Sequence, residues 1–156
     1  MKALKYQRKI LKKPKNLFIA KPEYKTSRRF LADTHAILWH FTNNPKISQK
    51  AKEIFDKSET GEYIIFIPSI VIAECLSIFD KKKITFDFKS LFNQIRRSEN
   101  YAIIPLDHKV LLKMVEITEV PELHDKIIVA TARLLKVPLI TKDSFLRNLK
   151  TITTIW

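Results

Sequence analysis

The chain has 156 residues, 46% hydrophobic and 10% aromatic with a single glycine, a composition that folds and has room for one ordinary domain. Cys75 is the only cysteine, which excludes an internal disulfide and a cysteine-based zinc cluster within one chain. No apolar run approaches the roughly 20 residues that cross a bilayer, so membrane insertion and secretion are not expected and the chain reads as cytoplasmic.

The net charge of +13 is unevenly placed. Residues 1–29 hold eleven Lys or Arg against one acid, Glu23. The sequence therefore divides into a basic arm, 1–29, and a nearly balanced body, 30–156. Such an arm suits a polyanion, held by phosphate neutralisation that weakens with salt; a poorly ordered Lys-rich leader is the other reading.

From Phe30 the character changes. Phe30 to Ala32 is a short apolar strand ending in Asp33, and Ala36 to Trp39 suggests a buried helix. Ser48 caps a second helix, with Ala51, Ile54 and Phe55 inward and Gly61 ending it. Tyr63 to Ile67 is a strand closed by Pro68, which suits the first turn of the next helix. From Ile70 to Phe79 only Glu74 and Ser77 are polar, which predicts a helix buried nearly all round.

Asp87 to Asn100 reads as a helix with Phe88, Leu91, Phe92 and Ile95 on one face, and Tyr101 to Pro105 as a strand. Asp107 caps a helix whose apolar positions are Val110, Leu111, Met114 and Val115. His124 and Asp125 open a helix through Leu135; Val137 to Thr141 and Ile152 to Trp156 are the last strands. This alternation predicts an α/β fold, a mainly parallel sheet of about five strands flanked by helices, with ligands beyond the carboxyl ends of the strands.

Four acids point to that edge. Asp33 and Asp143 each follow a strand. Between Asp125 and Asp143 the chain descends a helix of roughly 16 Å and returns along a strand of roughly 15–17 Å, which brings the two acids to one side. Glu74 lies on an otherwise apolar helix with no Lys or Arg within a turn; a buried carboxylate needs a partner, from elsewhere in the fold or a metal. Clustered carboxylates raise one another's pKa unless a cation offsets them, and oxygen donors suit Mg²⁺ or Mn²⁺. Taken singly, Asp33, Asp125 and Asp143 are also ordinary caps or helix-dipole partners.

Phe30 to Trp39, with its Asp33-Thr34-His35 core, resembles the opening motif of PIN domains. His124-Asp125-Lys126 through Ala132, the run Val137 to Asp143, and the terminal Thr154-Ile155-Trp156 resemble its later motifs. The resemblance covers about residues 30–156 and is similar to the VapC-type subgroup that reads Asp-Thr-His; Ala73 stands where that subgroup often has Trp, and the arm 1–29 lies outside the common pattern. It implies a PIN-like three-layer fold and a metal-dependent endoribonuclease. Asp33, Glu74, Asp125 and Asp143 match the acidic set, with Thr141 as an auxiliary hydroxyl. Asp33 and Asp125 are expected as principal ligands of one or two Mg²⁺ or Mn²⁺ ions, Glu74 and Asp143 as ligands or water positioners. Water activated in this way would attack phosphorus in line, with the metal offsetting charge on the leaving 3′ oxygen.

The resemblance further implies the toxin of a type II toxin–antitoxin system, a homodimer held inactive by a cognate antitoxin and acting on RNA. The alternatives are a housekeeping RNA-processing or DNA-acting nuclease and a catalytically silent nucleic-acid-binding module. His35 and His124 are expected to pack or hydrogen-bond structurally, and Cys75 to point away from Glu74 into the core.

Overall fold

The computed structural model describes residues 28–83 and 85–156; all but the last two residues of the basic arm lie outside these. Five strands, β1 (Arg28–Ala32), β2 (Tyr63–Pro68), β3 (Tyr101–Ile104), β4 (Leu139–Ile140) and β5 (Thr154–Ile155), form one sheet in the order β3-β2-β1-β4-β5. All four pairings are parallel, so the mainly parallel sheet expected from strand-helix alternation is fully parallel among the described residues. Strand β1 begins two residues before the first apolar position, so Arg28 and Arg29 already belong to the sheet.

Helices α1 (Thr34–Phe41) and α2 (Gln49–Glu59) connect β1 to β2; α3 (Ser69–Lys81) and α4 (Phe88–Arg97) connect β2 to β3. The chain then crosses to the other side of β1 through α5 (His108–Val115) and α6 (Leu123–Leu135), and a short α7 (Ser144–Arg147) separates β4 from β5. That reversal of direction at β1 makes the space between the carboxyl ends of β1 and β4 the switch point where open parallel sheets bind ligands.

Local chemistry accounts for most of the boundaries. Ser48 accepts from the Ala51 N–H at 3.1 Å to start α2, Asp87 accepts from Ser90, and Asp107 accepts from Lys109 and Val110; these side chains satisfy amide donors that a helix start leaves free. Gly61 follows α2 at φ 85°, a left-handed turn that suits a residue without Cβ. Lys136 ends α6 in the same region at φ 55°, and its N–H donates to carbonyls of the last turn.

The core is continuous from Phe30, Leu31 and Ala32 through Ile65 and Ile67 to Leu139 and Ile140, all closed over by helix side chains such as Ile37, Val71 and Val129. One expectation is corrected, and two further helices show the same feature. Helix α3 is not buried all round: Val71, Ile72, Cys75 and Phe79 face the core, but Ala73 and Ser77 are exposed and Leu76 is 41% exposed. On α5 only Val110 is buried, while Leu111, Leu112 and Val115 face out. On α4, Leu91 and Ile95 are buried while Phe92 reaches solvent. In each case the stripe against the sheet is narrower than the run of apolar residues.

Candidate active site

Asp33 directly follows β1. Its N–H donates to the Ile140 carbonyl of β4 at 3.1 Å, which ties it to the switch point. Its Oδ1 accepts from the Ala36 N–H at 2.8 Å, so the same carboxylate caps α1. Asp143 repeats the arrangement after β4, accepting from the Leu146 N–H at 2.9 Å to cap α7. The capping roles weighed for these two acids are therefore real. They also fix each carboxylate at the sheet edge.

Thr141 links the pair. Its buried hydroxyl bonds to the Asp33 side chain and accepts from the Asp143 N–H at 3.0 Å. Asp125 sits in the first turn of α6, where Glu122 is the cap and accepts from the Asp125 N–H at 2.7 Å. Asp125 is thus inside the helix start and not its cap, which leaves its carboxylate unoccupied by capping.

Glu74 differs from expectation. Its side chain is 27% exposed, so it is half-buried. The partners it was expected to need come from distant segments: the Thr34 hydroxyl donates to Oε2, and His124 Nδ1 stands 3.3 Å from Oε1. His124 also lies 3.1 Å from Glu122, so its expected hydrogen-bonding role is met between two carboxylates. Thr34 and Glu122 went unrecognised in the sequence, and only the residue types Thr and Glu beside site acids could have flagged them. Cys75 faces the core with Sγ 3.9 Å from the Thr34 carbonyl, and burial pushes its thiol up to about 12, which makes it inert.

Electrostatics bind the four acids into one group. Burial, with the charges of Asp125 and Asp143, pushes Asp33 up to about 6, against the lowering effect of the Thr141 and Ala36 hydrogen bonds. Asp125 is likewise pushed up to about 6, first by burial and then by Glu122, Asp143 and Glu74, with His124 opposing. Asp33 and Asp125 resist ionisation first because they are buried and then because their neighbours are acids. Among the described residues no set of three or more His, Cys, Asp or Glu side chains is close enough to hold a metal ion; the acids are neighbours in charge, not a closed coordination shell. The donor chemistry nevertheless fits a hard divalent cation, since the set is all oxygen and positive charge would offset both the burial and the mutual repulsion.

The family model described as PIN domain matches residues 30–151. The chain belongs to the PIN domain family. Membership makes nuclease chemistry, generally dependent on divalent metal, the family-level reading of this acidic edge. No curated protein matches the chain in sequence. Similar solved structures include VapBC2 from Rickettsia felis bound to a DNA fragment from their promoter, at TM-score 0.63 and 16% identity over 81% of this chain and 97% of that one. A toxin–antitoxin complex from Klebsiella pneumoniae gives TM-score 0.57 and 20% identity over 80% and 95%. FitAcB from Neisseria gonorrhoeae gives 0.55 and 20% over 81% and 96%. At these identities the likeness is one of fold. No helix among the described residues is long and apolar enough to cross a membrane.

Proposed function

We propose that this PIN domain is a metal-dependent endoribonuclease and the toxin of a toxin–antitoxin pair. The observation that carries the reading is the convergence of Asp33, Glu74, Asp125 and Asp143 from four different elements onto the switch point, with Asp33 and Asp125 each pushed up to about 6. A purely structural set of caps has no reason to gather charges that oppose one another's ionisation.

Asp33 and Asp125 are assigned as the principal holders of Mg²⁺ or Mn²⁺, and Glu74 and Asp143 as further ligands or positioners of water. Bound there, the cation would supply a Lewis acid for the phosphoryl oxygen and a water of lowered pKa. The protein's own part is orientation. Thr141 holds the Asp33 carboxylate and the backbone of Asp143 in one unit, while Thr34 and His124 hold Glu74.

The toxin assignment is supported by the structural neighbour from Klebsiella pneumoniae that is described as a toxin–antitoxin complex, and it carries an antitoxin as the expected partner. A homodimer belongs to the same proposal. It is supported by α5, where Leu112 is 65% and Val115 80% exposed beside Leu111 and the preceding Leu106, an apolar patch of the kind that marks protein interfaces.

The test incubates purified protein with structured and single-stranded RNA in Mg²⁺, Mn²⁺ or EDTA, beside Asp33→Asn. Cleavage that requires metal and is lost in the variant is expected. Binding without cleavage in every metal would replace the proposal with a catalytically silent nucleic-acid-binding module.

A further inference from the structure

Beside the acids lies a cluster that the proposed chemistry does not use. On α1, His35 and Trp39 are one helical turn apart, with ring centroids 5.7 Å apart in an edge-on arrangement. Trp39 also meets Trp156, which follows β5, at 5.7 Å and 54°. Lys142, from the loop after β4, places Nζ 4.7 Å over the Trp39 ring. Three separate parts of the chain thus build one surface.

His35 and Lys142 are exposed and both indoles are half-buried; Trp156 packs against the core, whereas Trp39 lies outside it. The cluster borders the acids. Glu74, Asp143 and Lys142 all act electrostatically on His35, and Lys142 directly precedes Asp143.

Four carboxylates repel a phosphate backbone, so a polyanion approaching this edge needs attraction that their charge does not cancel. Aromatic faces supply it, because stacking of a base involves no net charge and tolerates any base. We propose that Trp39, with Trp156 and His35, is a stacking platform for a base of single-stranded RNA next to the phosphodiester facing the acids, and that Lys142 is the adjoining phosphate contact. This rests on the ribonuclease reading. An exposed cation–π contact is weaker than base stacking, so an arriving base can take the place of the Lys142 ammonium over the indole while the ammonium turns to phosphate.

The two tryptophans of the platform are the only two in the chain, so intrinsic fluorescence reads the site directly. The full chain carrying Asp33→Asn would be titrated with a single-stranded RNA oligonucleotide and with an abasic strand of equal length. Saturable quenching by RNA is expected. Trp39→Ala should weaken RNA binding about tenfold and abasic binding little, with Trp39→Phe keeping most of the affinity. Lys142→Ala should lower the salt slope of log affinity by about 0.7, the share of one single-strand phosphate contact.

Thermal melts check that each variant folds; if Trp39→Ala does not, the RNA-versus-abasic comparison in Trp39→Leu, which keeps apolar bulk and loses the aromatic face, decides. Equal weakening of RNA and abasic binding, or unchanged affinity, would overturn the platform and leave the Trp39–Trp156 contact as a tie between α1 and the end of the chain. Cleavage by the chain with native Asp33 is scored separately. Metal-dependent cleavage with unaltered kcat/KM in Trp39→Ala sinks the platform alone, whereas base-dependent binding with no cleavage in either metal sinks the ribonuclease reading alone.

Discussion

The two edges of the sheet treat buried polar groups in opposite ways. At the amino edge, the Tyr101 hydroxyl lies 3.1 Å from His40 Nε2 and receives the Ser58 hydroxyl at 3.2 Å; Ser58 also reaches the Phe55 carbonyl at 2.7 Å, and the Asn100 amide donates to the Ser58 carbonyl. The His40 ring stacks on Phe55 with centroids 4.1 Å apart. Every member is neutral and partnered. Glu59 stands 3.4 Å from His40 Nε2 and Asp56 also favours the charged ring, with Lys52 opposing, yet burial dominates and holds His40 down to about 4. At the carboxyl edge the buried Asp33 carboxylate is set against the charges of Asp125 and Asp143. Satisfied neutral polarity holds the fold together, whereas crowded like charge opposes it and is what the proposed cation would offset.

The sharpest way to break this comparison is Asp33→Asn, which keeps the cap on α1 because an amide oxygen also accepts from Ala36. RNA cleavage should fall by more than about 100-fold. Without metal the variant should be the more stable protein, by roughly 2 kcal/mol near neutral pH, since it removes a charge that the fold resists. Mg²⁺ or Mn²⁺ should raise the melting temperature of the parent and not of the variant, and EDTA should erase the difference that metal makes. Melts with and without metal measure all three outcomes.

The edges should also pull the pH profile of stability in opposite directions. His40 is depressed from 6.5 to about 4, so its contribution is present above pH 6.5 and lost as pH falls towards 4, on the order of 3 kcal/mol. Asp33 is raised from 3.8 to about 6; its contribution is present below pH 3.8 and lost as pH rises through 6. In metal-free urea unfolding from pH 7.5 to 4.5, Asp33→Asn should therefore lose stability more steeply than the parent, and His40→Gln less steeply. Parallel slopes for all three proteins would show that the two regions do not oppose each other.

Tyr101→Phe separates the regions at smaller magnitude. It leaves His40 and Ser58 without the hydroxyl between them and should cost about 1–3 kcal/mol in urea unfolding, with RNA cleavage nearly unchanged. Ser48→Ala, a cap at neither centre, should cost about 1 kcal/mol and alter neither the pH profile nor the response to metal. A change in metal response from either variant would mean that the edges are coupled.

Much of the fold is legible along the chain because its signals are local. Ser48, Asp87 and Asp107 announce helix starts by reaching amides two or three residues ahead, and the apolar runs from Phe30, Tyr63 and Tyr101 announce strands. The short α7 escaped notice because Ser144 to Arg147 is a single turn without periodicity. Asp33 and Asp143 were legible at the carboxyl edge from strand ends, and Asp125 from the lengths of α6 and the return. The partners of Glu74 were not, since Thr34 is 40 residues away and His124 lies on another helix.

By itself, the sequence determined the alternation of strand and helix, hence a parallel sheet, and the order in which four acids meet its carboxyl edge; periodicity, capping and element length are short-range properties that one segment carries alone. Tertiary structure decided the rest. It set the strand order that puts β1 between β2 and β4, the half-exposure of Glu74, the burial and mutual charge that lift Asp33 and Asp125, and the meeting of Trp39, Trp156 and Lys142. Burial and Coulomb energy depend on what distant segments bring within a few ångströms, and no local pattern records that.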